Sequence, residues 1–208
     1  FPVSAISKSD EFDLKGDLVE ITKNFNRNKK LSPFLDTGIM IKSKVSTIKT
    51  EPIYKGDKIH LKDIIKKDSD IDKSFFIDES DIKKWEYLKG AKKEKRTTKG
   101  GFVYNYTEGG MIYPDKLNKP SRTIITGEGG KSPSRFKHVI ETDRGLRRLT
   151  PIELERLNMF PDDHTKLDGI TDARRSFFMG NALVVGIIKK LGESLALNMM
   201  MEKQDEVI

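Results

Sequence analysis

Two glycine-rich segments offer the first chemistry: Gly109 and Gly110, then Gly127, Glu128, Gly129 and Gly130, in a stretch of short apolar runs broken by Gly, Pro and Ser. Glycine lets backbone amides and carbonyls approach a ligand's polar edges closely. Beside the second segment, Lys131, Ser134 and Arg135 place cationic and hydroxyl donors. The competing reading is a pair of ordinary turns between strands. Cysteine is absent, which removes disulfides, thiolate metal sites and a cysteine nucleophile together. His60, His138 and His164 have no second ligand at helical spacing, so no metal site is expected.

The chain carries 39 Lys plus Arg against 32 Asp plus Glu, a formal net charge of +7. That balance suits a polyanion, nucleic acid or an anionic membrane surface. Lysine-rich stretches such as residues 83–99 read equally well as solvated surface. Arginine is more telling: of ten arginines, eight lie between Arg122 and Arg175, and the planar guanidinium matches phosphates and guanine edges. No segment has the apolar length to cross a bilayer, and the N-terminus lacks a signal-peptide pattern. A soluble, cytoplasmic protein is expected.

The elements that must position these residues are legible in part. Residues 1–30 are polar with weak periodicity and read as a linker. Gly38–Ile41 and Val45–Thr50 alternate around the polar turn Lys42–Lys44, which predicts a β-hairpin. Leu61–Lys67 and Ser80–Lys89 are short helix candidates, the second with Ser80 as N-cap and Trp85 as a core anchor. Thr150, Pro151 and Glu153 form a capping-box signature, so a helix starts there and stops before Phe160. A final helix is expected from about Ala182, with Val184, Ile187, Ile188, Leu191 and Leu195 on one stripe that needs a partner.

The segment Arg147–Asp162 closely resembles motif IX of the DNA cytosine-5 methyltransferases, and Arg175–Ala182 resembles their motif X. Lys119–Gly130 is similar to the end of the family's target-recognition domain, where a Thr-hydrophobic pair precedes a glycine-rich loop. The resemblance is strong over residues 100–195. Residues 31–99 match only as the variable part of a recognition domain, and residues 1–30 match nothing. Motif X usually has Ser where Ala182 stands, and motif IX often has a polar residue at Ile152. The family's Pro-Cys nucleophile, Glu-Asn-Val tripeptide and Phe-x-Gly-x-Gly cofactor loop have no counterpart here.

What this implies is the C-terminal, target-recognizing half of such an enzyme, acting on double-stranded DNA with S-adenosylmethionine. In that chemistry a thiolate adds to carbon 6 of cytosine so that carbon 5 can take a methyl group. A chain without cysteine is therefore expected to be inactive until joined by the N-terminal catalytic half. The resemblance makes the two glycine segments recognition loops, with Arg122 and Thr123 joining Lys131, Ser134 and Arg135 at DNA. It makes Arg148, Thr150, Pro151, Glu153 and Arg156 a brace, with Arg148 and Arg156 in internal ion pairs or on phosphates. Asn181 and the backbone of Ala182 would line the cofactor pocket.

The expected fold is α+β: a linker (1–30), a small β-rich target-recognition domain (31–145), and helices (146–208) completing a Rossmann-like domain. A restriction-modification role is plausible by resemblance. The rival readings are a stand-alone sequence-specific DNA-binding module, and a general basic nucleic-acid binder whose binding would be salt-sensitive without site preference.

Overall fold

The computed structural model describes residues 3–24 and 34–205, a mixture of helix and strand that divides into two compact units, residues 1–57 and 58–208. The division falls at neither of the boundaries expected from sequence.

In the first unit β1 (Val3–Asp13) is followed by α1 (Leu18–Asn24), β2 (Thr37–Ile41) and β3 (Lys44–Pro52). The strands form an antiparallel sheet in the order β1-β3-β2. The β2–β3 hairpin forms where the alternation predicted it, although every residue of β2 is exposed. Ile41 pairs with Lys44, and Lys42 and Ser43 have φ of 49° and 67°, as a two-residue hairpin turn with the strands' own twist requires. Val45 and Thr47 are buried; the Thr47 hydroxyl donates to the Thr37 carbonyl at 2.9 Å and accepts from the Leu35 amide at 2.9 Å. The expected linker is corrected by β1, whose pairing partners come from residues 44–52. Residues 25–33, including the expected domain start at 31, lie outside the described residues.

The second unit begins with three single 3₁₀ turns, Leu61–Asp63, Asp68–Asp70 and Lys73–Phe75. The first stands where a helix over Leu61–Lys67 was expected. Next come α2 (Glu79–Lys89), the β4–β5 hairpin (Lys92–Thr97, Val103–Glu108), the β6–β7 hairpin (Val139–Thr142, Gly145–Arg148), α3 (Pro151–Leu157), α4 (Asp172–Asn181) and α5 (Val185–Asp205). Asp78, not Ser80, occupies the N-cap of α2, and Trp85 is buried. Leu61, Ile64, Ile140, Leu149, Leu154 and Met179 make the core, with Phe160, Phe178 and Ala182 packed on its margin.

The capping box forms: the Thr150 hydroxyl accepts from the Glu153 amide at 3.3 Å while Glu153 accepts from the Thr150 amide at 2.7 Å. Helix α4 was not foreseen. Thr171 caps it, accepting from the Arg174 amide, and Asp172 stands in the first turn, where a carboxylate favours the helix dipole. Asn181 closes this helix and Ala182 is extended (φ −76°, ψ 151°), which separates α4 from α5. On α5 the stripe of Ile187, Ile188, Leu191 and Leu195 is 45–62% exposed.

Lys89, in the last turn of α2, is only 1% exposed. It donates to the Lys137 carbonyl and sits 5.9 Å from the ring centres of both Trp85 and Tyr113. Burial, opposed by nearby Asp115, pulls its amine from 10.5 down to about 8. Between those values the unfolded chain holds a proton that the folded chain does not, so stability rises with pH across that window. Protonated burial costs on the order of 3 kcal/mol below it. Urea titrations of wild type and Lys89→Met should therefore show wild type gaining on the variant from pH 8 to pH 10. A flat or falling difference would contradict the assignment.

Candidate nucleic-acid interface and cofactor edge

Between β5 and β6 the chain has no regular secondary structure, and its shape is set by buried charges. Asp115 accepts from Arg122 through Nε at 2.6 Å and Nη2 at 3.0 Å, and from the Val139 amide at 2.9 Å. Burial works against the charge on Asp115, yet the Arg122 guanidinium and the Val139 amide hold its carboxyl below the usual range. Arg122 also donates to the Phe136 and Lys137 carbonyls at 3.1 and 3.3 Å.

Within the second glycine segment, Glu128 is 2% exposed. It accepts from the His138 amide at 2.9 Å and faces His138 Nδ1 at 2.9 Å, while His138 Nε2 lies 3.0 Å from the Ser121 hydroxyl. Lys137 donates to the carbonyls of Gly130 and Ser132 at 2.6 and 2.7 Å. Arg148 reaches the Gly129 and Gly130 carbonyls at 3.4 and 3.3 Å and the Ser74 carbonyl at 2.6 Å. Burial pushes both cations below their ordinary values, Lys137 also under repulsion from Arg148.

Helix α4 holds this loop from the other side. A Cβ at Gly129 would lie 2.6 Å from Ala173 Cα and 2.8 Å from Ser176 Cβ, so the glycine serves loop–helix contact. Arg175, nearly buried, joins Glu155 of α3 at 2.9 Å and Asp163 at 2.9 Å, and Asn158 donates to the Met179 carbonyl at 2.8 Å. The helix pair is thereby fixed before α5 begins.

Several expected site residues have partners within the chain. Arg122 and Arg135 are partly exposed and Glu128 is buried, and each is ion-paired. Arg135 is bound to Glu108 at 3.0 Å, to the Leu88 and Gly90 carbonyls at 3.3 and 3.5 Å, and to the Gly109 carbonyl. Ser134 accepts from the Phe136 amide at 3.3 Å. Gly110, Thr123, Gly127 and Lys131 remain exposed. Arg156 pairs with Asp162 at 2.6 and 2.7 Å and caps the Ile64 carbonyl at 2.9 Å. Arg148 is bound by carbonyls instead of by a carboxylate.

Asn181 is exposed and donates to the Phe177 carbonyl at 2.9 Å. Ala182 lines a cleft of about 420 Å³ together with Thr123, Ile124, Gly180, Leu183 and Ile187. The structure thus brings Thr123 to the side of Ala182. Sequence reading passed over Asp115, Lys137 and His138. The usable signal was Lys137 and His138 running directly into the apolar pair Val139 and Ile140, which marks polar groups entering a core.

The sequence profile of the C-5 cytosine-specific DNA methylases matches residues 5–196, and the chain belongs to that family. It is 42% identical over 179 residues to the Type II methyltransferase M.Sau3AI of Staphylococcus aureus, an alignment covering 86% of this chain and 40% of that protein. The chain therefore spans well under half the length of this relative. A methyltransferase of Entamoeba histolytica, EhMeth, aligns over 92% of this chain and 54% of its own, with 13% identity and a TM-score of 0.46. No helix among the described residues is long and apolar enough to cross a membrane.

Proposed function

We propose that this chain is the target-recognition and cofactor-edge portion of a DNA cytosine-5 methyltransferase, which grips duplex DNA and completes the enzyme when joined to a catalytic half. The carrying observation is that a family match over residues 5–196 contains no cysteine. The thiolate that attacks carbon 6 of cytosine must come from elsewhere. The target base leaves the duplex for a pocket in that catalytic half, and this chain is the opposing jaw.

The exposed stripe of α5 supports the same reading. A lone DNA-binding module would have to cover Ile187, Ile188, Leu191 and Leu195 by self-association; a Rossmann-like catalytic half supplies a sheet or helix face for them. S-adenosylmethionine, when bound, supplies the methyl group. The residues present fit one edge of its site: the exposed Asn181 amide and the small Ala182 at the helix break leave room beside the cleft. Most of its contacts fall to the partner half. The relative's Type II designation makes a restriction-modification role in a bacterial cytoplasm the natural setting.

The test is methyl transfer from tritiated S-adenosylmethionine to mixed-sequence duplex DNA. No transfer is expected from this chain alone, and transfer to cytosine is expected once a cysteine-bearing catalytic half is supplied. If the combination stays inert while the chain alone binds one DNA site, the stand-alone recognition module takes its place.

A further inference from the structure

Strands β4 and β5 form a two-stranded ribbon, with no third strand on either edge among the described residues. Its register pairs Lys92 with Glu108, Glu94 with Tyr106 and Arg96 with Tyr104 on one face, and Lys93 with Thr107, Lys95 with Asn105 and Thr97 with Val103 on the other. The first face holds both carboxylates, and both are engaged. Lys92 meets Glu108 at 2.9 Å, and Arg96 meets Glu94 at 2.8 Å while stacking 3.5 Å from the centre of Tyr106. The second face is exposed throughout and has no acid. Lys93, Lys95 and Asn105 make no side-chain bond within the described residues.

The ribbon is also held by contacts at both ends. Arg135 ties Glu108 to the Leu88 and Gly90 carbonyls at the end of α2. At the tip, Thr98 and Phe102 close a tight loop, with the Thr98 amide donating to the Phe102 carbonyl at 2.9 Å and Gly101 at φ +83°. Arg135, expected at DNA, thus also ties the root of the ribbon to α2.

From this segregation we infer that the β4–β5 ribbon enters the major groove of the target duplex and reads base edges through Lys95 and Asn105. The inference rests on the methyltransferase reading above. Two strands about 5 Å apart fit a groove about 12 Å wide, and six residues at about 3.4 Å each span roughly five base pairs. A cationic face without carboxylates complements the phosphate-lined groove walls. Asn105 carries the donor–acceptor pair that fits an adenine edge, and Lys95 the cation that fits the two acceptors of guanine. The two stand directly opposite each other, so they address adjacent positions.

The experiment uses the complete enzyme, this chain with its catalytic half, carrying Lys95→Ala or Asn105→Ala. The readout is kcat/KM for methyl transfer to the preferred site against sites altered at one base pair. Each variant should lose discrimination at one base pair by roughly 5- to 150-fold, and Asn105→Ala should leave the salt dependence of DNA binding unchanged. Loss that is uniform across all sites, with the salt slope for Lys95→Ala smaller by about one, would mean phosphate contact only and overturn base reading. Unchanged discrimination in both variants would overturn the ribbon while leaving the methyltransferase reading intact. A wild-type assembly that methylates no duplex at all would instead remove the reading on which the ribbon depends.

Discussion

Glu153→Ala should lower the unfolding free energy by about 3–5 kcal/mol, the usual consequence of removing one member of a fully buried ion pair. Glu153 and Arg147 have no exposed side-chain surface. One carboxylate oxygen accepts from Arg147 at 2.8 Å and from the Lys66 amide at 2.9 Å, the other from Arg147 at 2.9 Å and from the Thr150 amide at 2.7 Å. Alanine leaves the guanidinium with Asp68 at 3.2 Å and the Arg148 carbonyl. It also removes the carboxylate half of the α3 capping box and leaves the amides of Thr150 and Lys66 without their acceptor. Urea unfolding would measure the loss, and a change below about 1 kcal/mol would show that the pair contributes no more than a surface contact does. The companion variant Arg147→Met with Glu153→Leu should recover most of the loss, because no charge is then left buried alone.

Gly180→Ala is the second large effect. A Cβ there would fall 2.4 Å from both Thr126 Cα and Thr126 N, and 2.5 Å from the Ile125 carbonyl carbon. Those are backbone atoms, so a rotamer change cannot relieve the contact and α4 must move off the loop. The expected cost is at or above the upper end of the 1–3 kcal/mol typical of overpacking, or about 3 kcal/mol. Displacement would also open the Gly129 seam and shift Thr123 away from Ala182, so on the proposed function DNA affinity should fall along with stability. Gly192→Ala is the control. Nothing lies within 4 Å of its Cβ position on α5, and it should stabilise by about 0.5–1 kcal/mol through helix propensity and reduced backbone entropy. Thermal or urea melts that rank the two glycines in the opposite order would refute the close-approach argument.

The difference between these predictions marks what a linear reading can reach. The capping box at Thr150 and Glu153 is a contact between residues three apart, and the β2–β3 turn involves residues 41–44, so both were legible. Arg147's ties to Asp68 and Glu153 were not, since they combine separations of 79 and six residues. Strand β1 was missed for a related reason. Its polar, weakly alternating residues carry little signal of their own and become a strand by pairing with residues 44–52.

Residue type announced the chemistry of these side chains but not their partners within the chain. The glycines, arginines and Glu128 around residues 122–135 were expected at DNA because loops rich in such residues often meet phosphates. In the fold, Arg122 goes to Asp115, Arg135 to Glu108, and Glu128 to His138. A charged side chain entering a low-dielectric interior must find its counter-charge or hydrogen-bond partners. Which ones it finds depends on the chain's path. Conversely, the lysine-rich stretch 83–99 read equally well as solvated surface, and within it pairing sorts β4 and its partner into one neutralised face and one free face.

By itself, then, the sequence determined the family through local motifs, the absence of a cysteine nucleophile, the capped α3 and the β2–β3 hairpin, because each is written in residue identity or in contacts a few positions apart. The tertiary structure alone decided which arginines are internal, which glycines exist for helix–loop approach and which face of the β4–β5 ribbon is left for a partner. Those outcomes rest on long-range pairing and burial, where one residue's role is fixed by another's position in space.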